Sequence, residues 1–291
     1  MSRAPVAIGE ADLHTHSVVS DGTESPAELM RQAAAIGLPA VALTDHDSTS
    51  GWAEAAAAVP ETGVALIPGM EFSTREGFTS VHVLGYLVDP LDEALLAETA
   101  RIRESRLTRA EAIVRRIGRD YELSWDDVLA QTAEGATIGR PHIADALVAR
   151  GHAPTRSAAF DGILHPRSGY SQPHYAPDPL TGVRLIRAAG GVPVLAHPGA
   201  RGIEHVVPPA RLAKLVDAGL FGLEVEHPEN RPEAKPRLRE LAAEFGLEIT
   251  GSSDYHGSGK PNRLGECRTP ADVVARLVAE GRGARPVLPP A

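Results

Sequence analysis

The chain has 291 residues, 43% of them hydrophobic and only 4% aromatic, with a formal net charge of −9. That is enough apolar material for one large domain or two unequal ones, with a core of small and branched aliphatics. The single cysteine, Cys267, excludes an intramolecular disulfide and a thiolate-rich zinc site. The acidic balance argues against broad binding of long nucleic-acid duplexes, but leaves an anionic substrate open, because local cations in a cleft reverse the field there. No run reaches the roughly 18 apolar residues of a membrane span, and the start, MSRAPVAIGEADLHTH, has no apolar leader segment. A cytoplasmic chain is expected, off the membrane and with no obligate protein partner.

The first strand is expected at Ala11–His16. Ser25-Pro26-Ala27-Glu28 then spells a capping box with proline at the first helical position, opening a helix that runs to Gly37. A buried strand at Ala40–Thr44 ends at Asp45-His46-Asp47, and a short alanine-rich helix covers about Gly51–Val59. Val64–Pro68 is a third strand, ending at Gly69-Met70-Glu71, and Ser80–Val88 a fourth.

Near Leu91 the pattern changes. Asp92 to Arg119 reads as a long charged helix, Ser124-Trp125-Asp126-Asp127 opens a second, and Arg140–Arg150 and Thr155–Leu164 make two more. With no strand pattern between 91 and 175, this stretch is expected to be an all-helical insertion domain, flanked by a barrel domain of residues 1–90 and 176–285. The repeat resumes with a helix at Leu180–Ala189 and a strand at Val192–Ala196 ending at His197-Pro198. A helix at Pro209–Ala218 precedes the strand Leu223–Glu226, which ends at His227-Pro228. The helix Glu233–Phe245 leads to the strand Leu247–Thr250, ending near Asp254 and His256. A helix at Asp272–Glu280 comes last, and residues 286–291 are expected to form a loose tail.

Strand–helix alternation on both sides of the insertion suggests a parallel α/β barrel or a doubly wound sheet. Polar residues favour the barrel. His16, His46, Glu71, His197, His227 and Asp254 all fall at or just past the carboxyl end of an expected strand, the rim where such barrels build chemistry.

In the stretch DLHTHSVVSDGT, His14 and His16 sit at alternate positions, so on a strand they share a face. Asp21 follows in a loop with Gly22. An HxH pair alone is weak. It gains weight from His46, Glu71, His82, His197, Asp254 and His256, which complete a set of six imidazoles and three carboxylates. Histidine and carboxylate without thiolate suit zinc, manganese or iron, and the set is large enough for two or three ions. Three divalent cations would bring six positive charges against three from the carboxylates, and phosphate suits the remainder.

The segments DLHTHSVVSDGT, ALTDHDS, IPGMEFS, VHVLGY, LAHPG and GSSDYHG, in that order, resemble the PHP (polymerase and histidinol phosphatase) superfamily. The likeness is strongest to its stand-alone phosphoesterases, the ribonuclease AM and 3′,5′-nucleoside bisphosphate phosphatase group, and it covers nearly the whole chain. It implies α/β architecture: a distorted (β/α)7 TIM-like barrel with a helical insertion and a trinuclear site. By motif, His14, His16, Glu71 and Asp254 would hold one metal. Glu71 would bridge to a second metal, held by His82 and His197, and Asp21, His46 and His256 would hold a third. No ligand position departs from the pattern, so the resemblance implies an active site.

The implied reaction is phosphoester hydrolysis by a metal-bound hydroxide, with two to three divalent ions (Mn, Fe or Zn) and no organic cofactor. The expected substrate is small and phosphorylated: a 3′,5′-nucleoside bisphosphate or a short 5′-phosphorylated RNA. A histidinol-phosphate phosphatase and a non-catalytic metal-binding module are the alternatives. Arg140 and His142, in GRPH at a helix start, are the expected substrate contacts. His227 is a further candidate, with a structural role competing. His152, His165, His174 and His205 read as surface or loop residues, and Arg101, Arg103 and Arg106 as a solvated helix face.

Overall fold

A computed structural model describes residues 8–77, 79–200 and 208–290. Seven strands form one sheet in chain order: β1 (Ala11–Thr15), β2 (Ala40–Leu43), β3 (Ala65–Glu76), β4 (Thr79–Tyr86), β5 (Val192–Leu195), β6 (Gly222–Glu226) and β7 (Glu248–Gly251). The sheet curls until its ends meet. His16 N–H donates to Tyr255 O at 2.9 Å, and Tyr255 N–H to His14 O at 3.3 Å. Asp12 tightens this seam, accepting from Ser253 N–H at 3.0 Å and Gly265 N–H at 2.8 Å. The α/β barrel expected from the sequence is therefore present, nearly closed.

It is not all parallel. β1 to β3 and β5 to β7 are parallel runs, but β4 is antiparallel to both its neighbours. The reason is local: no helix separates β3 from β4, so the chain turns back directly, with Gly77 at φ 57 in the turn. β3 also runs past the expected end at Pro68 to Glu76, so Glu71 lies inside a strand, opposite Leu84, rather than at a strand terminus.

The helices largely follow the sequence signals. α1 (Pro26–Ala35) has the Ser25–Glu28 capping box with both arms made, and Gly37 beyond it adopts φ 71. With α2 (Trp52–Thr62), it buries Leu29, Met30 and Val59 against Val41, Leu43 and Leu66 of the sheet. Inside the barrel, Leu13, Ile67, Tyr86 and Val194 pack together, closed below by Val274 and Leu277 of a helix at Ala271–Glu280.

Between β4 and the later strands come α3 (Glu93–Ile117), α4 (Trp125–Leu129), α5 (Arg140–Ala149), α6 (Arg156–Asp161) and α7 (Pro179–Ala188). The first four bury their own apolar cluster, including Ile113, Ile117, Val128, Ile143 and Leu147. The remaining helices are α8 (Pro209–Asp217), α9 (Lys235–Phe245) and the closing α10 (Ala271–Glu280).

Two further expectations are corrected. The tail is held at Val287, which exchanges two backbone hydrogen bonds of 2.9 Å with Leu66. Arg106 is not on a solvated face. It is buried, with Nε 3.0 Å from Asp47 Oδ2 and Nη2 donating to Ser73 Oγ at 2.6 Å. The sequence showed charge on α3 but not the barrel wall facing it. Among the described residues no helix is long and apolar enough to cross a membrane.

Candidate metal centre

The structure brings all the expected ligands to one end of the barrel. His14 Nε2 and His16 Nε2 lie 3.1 Å apart, as alternate strand positions should, and each faces Glu71 Oε2, at 3.3 and 3.2 Å. Asp254 Oδ1 completes this group at 3.5 Å from His14 and 3.3 Å from His16. Glu71 is the hub. Its Oε1 meets His82 Nδ1 at 2.5 Å and His197 Nε2 at 3.2 Å, and its Oε2 lies 3.0 Å from His46 Nδ1. Asp21 faces His256 Nε2 at 3.2 Å with Oδ1 and His46 Nε2 at 3.7 Å with Oδ2.

The surrounding hydrogen bonds orient these rings. Glu224 accepts from His14 Nδ1 at 3.0 Å, leaving Nε2 as the lone-pair nitrogen turned inward. Ser20 donates its hydroxyl proton to Asp45 at 2.6 Å, so toward His16 Nδ1, 3.2 Å away, it acts as acceptor, and again Nε2 faces the centre. His82 points Nε2 at Ser80 Oγ (3.0 Å), and His256 points Nδ1 at the carbonyl of Asp254 (2.8 Å). In each case the nitrogen aimed away from the cluster has a hydrogen-bond partner, and the other nitrogen faces the groups at its centre.

That arrangement fits metal ions. Asp21 Oδ1 and His46 Nδ1 are buried without a well-aligned hydrogen bond among the described residues, an unfavourable state that a cation relieves. Burial alone would raise the Glu71 carboxyl, but the His46, His82 and His14 rings outweigh it and hold it well below the usual carboxylate range. Asp254 behaves alike, with burial opposed first by Lys260. Lys260 Nζ binds Asp254 Oδ2 at 2.6 Å and Glu229 Oε1 at 2.9 Å, leaving Asp254 Oδ1 to the histidines. Three-residue groups within metal-binding distance include His14–His16–Glu71, His16–Asp254–His256, His16–Asp21–His46 and His46–Glu71–His82.

Local backbone strain sits at the site. Asp47, His197 and Asp254 adopt φ of 51, 30 and 54, conformations costing on the order of 1–3 kcal/mol each outside glycine. The strain is held in place: Asp47 accepts from Ser73 N–H at 2.7 Å, and Glu224 accepts the His197 N–H at 2.7 Å.

The substrate-side expectations fare unevenly. The cluster opens into a cleft of about 1120 Å³ whose walls include Arg75, Arg106, Arg109, Arg140, Arg156, His174 and Lys260. Arg140 is on that wall, with Nη2 donating to Leu164 O at 2.8 Å and its guanidinium over the Phe160 ring. His142 is not. It is buried, and its Nδ1 accepts the Gly139 N–H at 3.1 Å, which caps α5. His227 is fully buried behind the cluster. Its Nδ1 accepts the Glu229 N–H at 3.1 Å, which puts the ring proton on Nε2, facing Asp254 Oδ2 and Glu224 Oε2 at 3.7 and 3.8 Å. It offers these carboxylates a proton rather than a lone pair for a metal.

His174, expected at the surface, lines the cleft, and His205 lies outside the described residues. Sequence reasoning missed Glu224, Asp45, Asp47, Lys260 and Arg109. Only Asp45 and Asp47, flanking His46, carried a local hint.

The PHP domain family model matches residues 12–123. A 3′,5′-nucleoside bisphosphate phosphatase of Chromobacterium violaceum is 34% identical over 258 residues, covering 87% of this chain and 89% of that one. A phosphoribosyl 1,2-cyclic phosphate 1,2-diphosphodiesterase of Eggerthella lenta is 32% identical, covering 84% and 94%. The 5′-3′ exoribonuclease Rnm of Salmonella typhimurium is 30% identical, covering 84% of each. A Bifidobacterium adolescentis crystal structure, described as a candidate metal-dependent phosphoesterase, superposes with a TM-score of 0.91 at 43% identity, covering 94% and 96%. The chain belongs to the PHP-domain family of metal-dependent phosphoesterases and is a hydrolase of phosphoric ester bonds.

Proposed function

We propose that the cleft hydrolyses the 3′ phosphoester of a nucleotide that already carries a 5′-phosphate. That covers a 3′,5′-nucleoside bisphosphate giving the 5′-nucleotide, and a short 5′-phosphorylated RNA trimmed from its 5′ end. The observation that carries this reading is the surroundings of Arg109, on the same cleft as the metal ligands but apart from them. Burial and the neighbouring cations Arg106, Arg140 and Arg75 push Arg109 down to about 9, so it stays charged at neutral pH among like charges. Its Nε is buried without a hydrogen-bond partner among the described residues.

Arg109 Nη1 donates to His174 Nδ1 at 3.0 Å, which places that ring's proton on Nε2, itself buried and without an acceptor. A second phosphate group answers both needs, supplying negative charge and acceptor oxygens. The cleft is large enough for a nucleotide.

In this reading His14, His16, Glu71 and Asp254 would hold one divalent ion. Glu71 would share a second with His82 and His197, and Asp21, His46 and His256 would hold a third; Mn, Fe and Zn all suit the donors. Divalent ions there supply Lewis acidity toward phosphoryl oxygens and activate water at neutral pH. The chain's own part is to keep the ring lone pairs inward through Glu224, Ser20 and Ser80. Lys260 meanwhile holds Asp254 by one oxygen.

The test is a substrate panel with manganese-loaded protein: adenosine 3′,5′-bisphosphate, 5′-phosphorylated oligoribonucleotides, a ribose cyclic phosphate and histidinol phosphate. Arg109→Met is expected to raise KM for the bisphosphate by about tenfold or more, the loss of a charge-assisted hydrogen bond, while hydrolysis of p-nitrophenyl phosphate stays near wild type. Preference for histidinol phosphate or the cyclic phosphate, or turnover of none of the panel, overturns the substrate assignment.

A further inference from the structure

Arg156 opens α6 in the helical insertion, yet its guanidinium reaches the barrel. Nε and Nη2 grip the two oxygens of Asp145, on α5, at 2.7 and 2.5 Å, while Nη1 donates to the main-chain carbonyl of Asp21 at 2.9 Å. The side chains are 12% and 25% exposed, so the pair is shielded from solvent. A planar guanidinium held by two bonds has its remaining donor aimed in a fixed direction.

Asp21 is a candidate ligand whose position depends on such bracing. Its loop, Val18–Gly22, belongs to no strand or helix. Within the loop, Ser20 N–H and Gly22 N–H donate to Ser17 O at 3.1 and 3.0 Å. The insertion holds it at several further points: Thr137 N–H donates to Val19 O at 2.9 Å, His142 hydrogen-bonds the Ser20 backbone, and Arg156 takes Asp21 itself. The side chain fixed by these bonds is the buried carboxylate set against His46 and His256.

We propose that the Asp145–Arg156 clamp is a positioning device through which the helical insertion sets how tightly Asp21, His46 and His256 hold a divalent ion. The inference rests on the metal-dependent reading of the site and adds to it a role for the insertion. Arg156 also lines the substrate cleft, whereas Asp145 lines only a separate cavity of about 590 Å³ behind the loop, so the two residues separate positioning from substrate contact. Gly259 offers a third handle. A Cβ there would overlap the end of the Arg156 guanidinium, so Gly259→Ala displaces it without altering charge.

The experiment measures manganese binding to the metal-free full chain by equilibrium dialysis and electron paramagnetic resonance. It compares wild type, Asp145→Asn, Gly259→Ala and Arg156→Lys, each checked for folding by circular dichroism. The most weakly held manganese is expected to weaken by about tenfold to a hundredfold in Asp145→Asn and Gly259→Ala, the usual consequence of losing a residue that orients a ligand. More tightly held ions should be unaffected.

Arg156→Lys, which keeps the charge but not the fork, should fall between these variants and wild type. At saturating manganese the KM of Asp145→Asn should match wild type. Wild-type manganese affinity in folded Asp145→Asn and Gly259→Ala overturns the proposal, as does a raised KM with unchanged metal binding. A wild-type chain that binds none of manganese, iron and zinc overturns the metal-dependent reading, and the clamp with it.

Discussion

Glu224 Oε1 lies 3.0 Å from His14 Nδ1, with both side chains fully buried. The same carboxylate accepts the His197 N–H at 2.7 Å and the Ser252 hydroxyl, so one residue on β6 orients candidate ligand residues from β1 and from the segment after β5. Burial opposes its ionisation, but His227 and His14 outweigh that and hold its pKa at about 2. Glu224→Ala should weaken metal binding by about tenfold to a hundredfold, read as manganese affinity. It should also destabilise the fold by about 1–3 kcal/mol, because the donors on His197 and Ser252 lose their acceptor. Wild-type affinity in the folded variant would show that His14 orients itself.

Removing metal should abolish phosphate release and lower the melting temperature, and manganese should restore both. An ion supplied at a hundred times its dissociation constant adds about 2.7 kcal/mol per site when the unfolded chain does not bind it. Equal melting temperatures with chelator and with manganese would contradict the stabilising role of the ions.

Arg106 pairs with Asp47 inside the contact between α3 and β3, so it should behave as a core residue despite its place on a charge-rich helix. Arg106→Met leaves Asp47 buried without its partner and should cost about 3–5 kcal/mol, against about 0.5 kcal/mol for an ordinary surface substitution. Urea unfolding of Arg106→Met beside Arg115→Met makes the comparison, since Arg115, on the same helix, is exposed. A loss of only about 0.5 kcal/mol in Arg106→Met would contradict its role as a core residue.

The His174 imidazole is pushed down to about 2 by burial and then by Arg109, Arg106 and Arg75. Its ordinary value is 6.5, so below that pH the unfolded chain takes up a proton that the folded chain refuses. The contribution of His174 to stability is complete above its unfolded pKa and declines as pH falls below it. His174→Asn, which can still accept from Arg109, should therefore lose less stability than wild type on acidification from about pH 7 to about pH 5. Melting curves across that interval decide it, and parallel declines would show that His174 ionises in the folded state.

Much of this was legible in the chain because its signals are local. The Ser25–Glu28 capping box, the valine- and alanine-rich strands and the loss of strand pattern after Leu91 each depend on neighbours a few residues away. The reversed strand was less legible. Its cause, a helix missing between β3 and β4, was visible, but the regular repeat elsewhere suggested a parallel strand.

What the sequence determined by itself was the chemistry: histidines and carboxylates, without thiolates, suit hard or borderline divalent ions wherever they meet. Only the tertiary structure decided which nitrogen of each ring faces inward. Glu224 reaches His14 from 210 residues away, and Arg156 reaches Asp21 from 135. Likewise, the Arg106 position of α3 proved packed rather than solvated once Asp47 and Ser73 were seen to face it. Contacts across such distances leave no periodicity in the chain, because they arise where separately folded elements happen to touch.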